Sequence, residues 1–381
     1  MNPEDFRQGA PGRLVKTLDG AWAFVPAPLP PKIDLSLELM TAVGEARGAL
    51  GELAGVGRSL PNPHLLIQPF SRKEAEASSR IEGTETDLGE LFVHEVDPAR
   101  RPERADIRRE VLNYVRALEA GLSSDLPVSL RLVKEMHSVL MEGVRGQNKA
   151  PGDFRRVQNR IGGTSNLDAK YVPPPVPEME SCISDWEKFL HAESSLSPLM
   201  RLAMIHYQFE AIHPFVDGNG RIGRLLLPLL LCRWQILPLP LLYLSAYFER
   251  HRSQYYDLLS AVSQRGEWPG WLKFFLHAVE VQAKDAARRA KKLMDKKEEY
   301  RQRAQIKGST TALRLVDELI AQPACHTKKA MEKLDITMPT ALRAIDTLER
   351  AGILREITGR QKNRVWVATE ILEILQAEDS P

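Results

Sequence analysis

Six stretches of this chain repeat apolar residues at three-and-four spacing, and that period commits most of it to helices. LSLELMTAVGEARGALGELAGV shows the pattern first, and it returns in residues 105–122, 129–143, 177–191, 197–212 and 220–235. A mainly α fold is predicted. Two places break the rule. Residues 22–32, WAFVPAPLPPK, alternate apolar residues and then run into prolines, which predicts an extended lead-in. FRRVQNRIGGTSNLDAKYVPPPVPEM has a short alternation, a Gly-Gly turn and a second extended run closed by prolines, which predicts a β-hairpin projecting from the helical body.

Further along, KDAARRAKKLMDKKEEYRQRAQIK is almost wholly polar with helical composition, so residues 284–308 are expected to be an exposed connecting helix ending before Gly308. Its Lys and Arg runs read as a solvated face. Beyond it, TTALRLVDELIAQ, CHTKKAMEKLD and TMPTALRAIDTLERAG are three short helical patterns, and ILREITGRQKNRVWVA is two strand-like runs around a basic turn. Three helices and a hairpin predict a winged helix over 309–381. The expected organisation is therefore an N-terminal extension over 1–100, a helical catalytic domain over 101–283, the connector and this last domain. A length of 381 residues agrees with two or three domains.

Composition narrows the partners. The formal net charge of +2 gives no chain-wide pull toward nucleic acid or a membrane surface. Cys182, Cys232 and Cys325 are odd in number and in no metal-ligand spacing, which fits packed thiols in a reducing compartment. MNPEDFRQGAPGR lacks the basic and apolar regions of a signal peptide, and LLLPLLLCRW is too short to span a bilayer. A cytoplasmic protein is expected.

Residues 211–224, AIHPFVDGNGRIGR, are the densest chemistry in the chain. Leu199, Leu202, Ile205, Phe209 and Ile212 fall on one face of the preceding helix, so His213 should lie at its end, where Pro214 stops it. Gly218, Asn219 and Gly220 tolerate positive φ and can curl their N–H groups into an anion nest. The next helix begins at once, and its N-terminus favours phosphate. Arg221 and Arg224, three apart, are expected to share a face and reach a polyphosphate tail. Asp217 offers the hard oxygen that a phosphate-bound Mg²⁺ prefers. His213, with an ordinary pKa of about 6.5, is the general-base candidate. Each piece alone has an ordinary structural reading; together, and in this order, they point to phosphate chemistry.

HPFVDGNGRIGR resembles, without departure, the signature HPFx[D/E]GNGRxxR of Fic-domain proteins, which transfer AMP from ATP to hydroxyl side chains of target proteins. The resemblance implies that His213 deprotonates the target hydroxyl and that Asp217 holds the metal. It also implies that Gly218, Asn219, Gly220, Arg221, Ile222, Gly223 and Arg224 form the nucleotide-binding turn. Phosphocholine transfer on the same fold is not separated by this loop. ADIRREVLNYVRALEAG, LVKEMHSVLMEGVRG and PGDFRRVQNRIGG resemble the family's upstream helices and flap, with Ile161, Gly162 and Gly163 at the flap's centre, where a target segment would pair by its main chain.

Ser78 and Glu82 are four apart on a predicted helix face, and Gly83 can end that helix. By resemblance, Ser78, Glu82 and Gly83 fit the family's inhibitory motif [S/T]xxxE[G/N], in which Glu82 would pair with Arg224 and take the place of the γ-phosphate. Tyr256 falls where the family has a helix bordering the nucleotide base; stacking there and core packing are both open. Homodimerisation is implied by resemblance, and for the C-terminal domain DNA contact and protein contact remain open. Two further functions compete with AMP transfer: a nucleotide-sensing, DNA-binding regulator, and removal of AMP with Glu82 positioning water.

Overall fold

A computed structural model describes residues 1–7, 9–59, 62, 64–98, 105–144, 148–305 and 309–377. Two strands open the chain, β1 (Gly12–Lys16) and β2 (Trp22–Pro26), paired antiparallel with Gly12 opposite Pro26. The extended lead-in is therefore the second strand of a ribbon. Helices follow: α1 (Leu37–Ser59), α2 (His64–Ile81), α3 (Leu88–Val96), α4 (Ala105–Ser123), α5 (Leu130–Leu140), α6 (Val176–His191), α7 (Pro198–Ile212), α8 (Asn219–Arg233), α9 (Ser245–Arg250), α10 (Arg252–Arg265) and α11 (Trp268–Gln305). The helices expected from periodicity lie where the pattern placed them, because their apolar stripes are the faces that bury. Leu199, Leu202, Ile205, Phe209 and Ile212 of α7 are all within 1% of full burial.

α7 and α8 form the centre of the body, with α2 and α4 packed against α8 and α6 against α7. That placement brings the C-terminal end of α2, the N-terminal turn of α8 and the end of α7 to one point.

Two expectations are corrected. The projecting β-hairpin is not a ladder: among the described residues, the pairing in 154–174 is an antiparallel bridge between Ile161 and Tyr171. Side chains hold the segment instead. Asp168 accepts from the backbone N–H and hydroxyl of both Thr164 and Ser165, and Asn166 donates to Asp19 at 2.7 Å, tying the tip to the β1–β2 turn. The second correction concerns residues 284–308. They are not a separate solvated connector but the second half of α11, a 38-residue helix whose Ala286, Ala287, Ala290, Leu293, Tyr300 and Ala304 are buried. Gly308 lies outside the described residues.

The C-terminal elements are α12 (Thr310–Ala321), β3 (Ala324–His326), α13 (Thr327–Leu334), α14 (Met338–Arg350), β4 (Arg355–Glu356), β5 (Val365–Val367) and α15 (Thr369–Gln376), with the strands in the order β3-β5-β4. Three helices and the basic hairpin stand where the sequence puts them; β3 and α15 are additions. This unit shares one continuous core with the helical body. The three cysteines are free, with Cys182 and Cys325 buried. Among the described residues no helix is long and apolar enough to cross a membrane.

Candidate active site

His213 caps the C-terminus of α7 in the left-handed region, φ 51°, a conformation that costs a non-glycine residue roughly 1 kcal/mol unless its surroundings hold it. They do. Its own N–H reaches the Phe209 carbonyl at 3.0 Å, and its carbonyl accepts from Arg155 Nε at 3.0 Å and Asn159 Nδ2 at 3.2 Å. Imidazole Nδ1 faces the Glu210 carbonyl at 3.3 Å. A carbonyl only accepts, so Nδ1 carries the proton and Nε2 keeps its lone pair. Burial lowers the His213 pKa to about 4, which keeps the ring neutral at physiological pH.

Pro214 and Phe215 turn the chain, and Phe215 is fully buried beneath the stacked ring of His137, 3.8 Å away. Asn219 folds back onto Phe215, accepting its N–H and donating to its carbonyl, both at 2.8 Å. His137 braces the other side. Its Nδ1 accepts from Gly152 N–H at 2.9 Å, so Nε2 bears the proton that the Asp217 carbonyl receives at 3.0 Å. Gly218 then starts α8 in the left-handed region at φ 78°, where a Cβ would approach Met141 Sδ to 3.1 Å. The first turn of α8 has no intrahelical acceptors for its N–H groups, the basis of an anion site.

The two arginines part company. Arg221 is 4% exposed and turns to α4, donating NH1 to Glu110 Oε1 at 2.5 Å with NH2 3.5 Å from Asp217 Oδ1. Arg224, 1% exposed, turns to α2, donating Nε to Ser78 Oγ at 2.9 Å and NH2 to the Ser78 carbonyl at 3.1 Å and to Glu82 Oε1 at 2.7 Å. A shared face three residues apart does not give shared partners when two different helices flank it. Ile222 is wholly buried with its N–H on the Gly218 carbonyl. Gly223 makes room for α7, since a Cβ there would lie 2.2 Å from Glu210 Oε1.

Glu82 is the first residue past α2, and Gly83, at φ 87°, turns the chain away. Burial opposes ionisation of Glu82, yet the Arg224 guanidinium outweighs it and keeps the carboxyl below its ordinary range. Gly220 explains the close approach, because a Cβ there would sit 2.5 Å from Glu82 Oε1. Asp217 behaves alike: burial raises it, but hydrogen bonding from Lys149, 3.0 Å away, and the nearby Arg221 hold it low. Tyr256 is 39% exposed, not core, and lies within the fields of Glu82, Arg224 and Glu210. Ile161, 37% exposed, with Gly162 and Gly163 at φ 70° and 72°, follows directly in the chain on the segment that anchors His213.

Sequence reasoning missed Glu110, His137, Lys149, Arg155, Asn159 and Glu210. FRRVQNR gave the one available hint, since Arg155 and Asn159 fall four apart with a buried arginine needing acceptors.

Residues 40–123 match the family model described as Fic/DOC family N-terminal, and residues 127–231 the model described as Fic/DOC family. A protein adenylyltransferase Fic of Culex quinquefasciatus is 35% identical over 239 residues, covering 58% of this chain and 44% of that protein. That of Drosophila grimshawi is 30% identical over 183 residues, 46% of this chain and 34% of its own. The chain thus spans less than half the length of these relatives. Among solved structures, a Fic family protein from Desulfovibrio desulfuricans G20 superposes with a TM-score of 0.58 at 20% identity, covering 89% of this chain and 98% of that one. Fic-1 of C. elegans gives 0.54 at 22% identity over 68% of this chain and 74% of that chain. Residues 40–231, from α1 to α8, thus carry the two consecutive regions of the Fic/DOC family, with its fold reproduced around the His213–Arg224 turn.

Proposed function

We propose that this protein transfers AMP from ATP to a serine, threonine or tyrosine hydroxyl of a protein, and that Glu82 restrains the transfer. One observation carries the reading: the Glu82 carboxylate holds Arg224 at 2.7 Å, beside the N-terminal turn of α8, where a γ-phosphate would find its counter-charge. A phosphate tail binding there must displace it. In the reaction, the target oxygen attacks the α-phosphorus and the α–β bridging P–O bond breaks, releasing pyrophosphate. The hydroxyl proton passes to His213 Nε2, which the Glu210 carbonyl keeps unprotonated through Nδ1.

Asp217 fits the metal that accompanies ATP. Mg²⁺ is commonly bound through one or two carboxylates plus substrate phosphates, and among the described residues no cluster of three or more ligands would hold one by itself. Bound there with ATP, Mg²⁺ would neutralise the phosphates. Asp217 must then part from Lys149.

A protein target is supported by the surface beside His213. Arg155 and Asn159 turn inward to the His213 carbonyl, while Arg156, Val157, Arg160, Ile161, Leu167 and Lys170 are exposed on the same segment. This mixed apolar and basic strip suits an extended, acidic segment.

The test is label transfer from α-labelled ATP by the wild type, Glu82→Gly, and Glu82→Gly with His213→Ala. The expected result is weak labelling of protein, strong labelling and none, in that order. Equal labelling by wild type and Glu82→Gly removes the restraint, and labelling by the double variant removes His213 as base.

A further inference from the structure

Glu82 sits on a short turn between α2 and α3, and what fixes that turn is not only the active site. α3 is held along its length by the C-terminal unit. At its start, the N-cap Asp87 accepts the Glu90 N–H through Oδ1, while its Oδ2 accepts from Gln376 Nε2, at the end of α15, at 2.9 Å. In its middle, the Phe92 carbonyl accepts from Gln322 Nε2, just after α12, at 2.9 Å. Past its end, Asp97 Oδ2 accepts from Arg360 NH1, in the β4–β5 turn, at 3.0 Å. α15 lies close alongside: a Cβ on Gly89 would come within 3.5 Å of Leu372.

α3 in turn is locked to α2. Arg72 of α2 grips Glu95 of α3 through two hydrogen bonds of 2.6 Å, a bidentate pair. α12 packs directly on α2, whose Ser71, Ala75, Ser78 and Ser79 are buried. The C-terminal unit is itself fastened to the body, where Arg289 of α11 donates to the carbonyls of Ile374 and Ala377 at 2.6 and 2.7 Å.

We propose that the C-terminal unit is a clamp on the Glu82 turn, so that a partner or change that shifts this unit releases α3, loosens residues 82–87 and frees Arg224. The inference rests on the reading of Glu82 as a restraint. Its physical basis is the spacing: four residues separate Glu82 from the Asp87 cap, so Glu82 cannot leave Arg224 far without disturbing the start of α3. The three clamp contacts are side-chain hydrogen bonds to Asp87, Phe92 and Asp97, distant from the reacting groups. Their loss therefore acts through position and not through chemistry.

The experiment uses the full chain with Gln322→Ala, Arg360→Ala and Gln376→Ala combined, alone and together with Glu82→Gly, and compares label transfer from α-labelled ATP with hydrogen exchange over residues 82–97. The clamp predicts faster exchange there and labelling raised at least about fivefold over wild type, the effect of losing a net hydrogen bond's worth of restraint. On top of Glu82→Gly the triple change should add nothing, because the contact it releases is already gone. Unchanged exchange over 82–97 overturns the clamp. So does a labelling gain that persists in full in the Glu82→Gly background. If Glu82→Gly labels strongly while the triple variant behaves as wild type, the clamp fails and the restraint by Glu82 stands. If Glu82→Gly labels nothing, the restraint fails and the clamp falls with it.

Discussion

Glu110 does for Arg221 what Glu82 does for Arg224, but deeper in the fold. Its carboxylate is 16% exposed against 37% for Glu82, and Arg221 Nε has no partner among the described residues, whereas Arg224 keeps two bonds to Ser78. Removing Glu110 leaves a buried cation with only Asp217, 3.5 Å away, as ion-pair partner and its Nε unpaired; removing Glu82 leaves a cation still hydrogen-bonded to Ser78. Glu110→Ala should therefore destabilise by about 2 kcal/mol or more, and Glu82→Gly by less. Thermal denaturation of the two variants checks the order, and a smaller loss for Glu110→Ala would contradict it. His213 gives a pH prediction. Because burial lowers its pKa to about 4, the base is already neutral well below pH 7, and activity is lost only as pH falls toward that value. Labelling by Glu82→Gly should be flat on the acid side from pH 8 down to about 6; a half-loss centred near 6.5 would show an imidazole titrating at its ordinary value. At this scale the sequence was legible where the chemistry is contiguous. His213, Asp217 and Arg224 could be read because they share a dozen residues, while Glu110 and Lys149 reach Arg221 and Asp217 across 111 and 68 positions that no local pattern links.

At the scale of elements, the flap shows how a correct turn can sit in an incorrect strand pair. The Gly-Gly signal was sound: Gly162 and Gly163 both have positive φ. The ladder was not, because the segment spends its polar groups differently. Arg155 and Asn159 point into the body to hold His213, and Asp168 gathers the Thr164 and Ser165 donors that a strand partner would otherwise take. A side-chain-tied loop has no period-two signature to read. Gly163 is its tightest point, since a Cβ there would meet the Ala169 Cα and Asp168 carbonyl at 2.8 Å, both backbone atoms that cannot swing away. Gly163→Ala should distort the flap and lower target labelling by Glu82→Gly at least several-fold while ATP affinity holds. Titration of ATP beside the labelling assay tests the split; a parallel loss of ATP binding would place the flap's role elsewhere.

For the whole molecule, α11 decides whether the C-terminal unit is an appendage or part of one body. Its second half looked solvated because the burying face is made of alanines, which a count of large apolar residues overlooks. Ala283, Ala286, Ala287, Ala290 and Leu293 recur at three-and-four spacing, and α1 answers with Ala46, Ala49, Leu50, Leu53 and Ala54. Small residues let two helices approach closely, and the polar majority of 284–305 covers the other side. α14 turns Met338 and Leu342 outward, 51% and 43% exposed, and pairs Arg350 with Asp346 at 3.0 Å. With core residues continuous from α7 through α11 to α12 and β5, folding should be cooperative across the boundary that composition suggested. Leu293→Ala, cutting a fully buried side chain of α11, should cost about 2–4 kcal/mol. Hydrogen exchange near the unfolding midpoint distinguishes the cases. Protection in α7 and in α14 should fall together in wild type and variant alike; loss of α14 protection at a temperature where α7 is still protected would show that the C-terminal unit melts alone, and that its hold on α3 is not shared with the body's core.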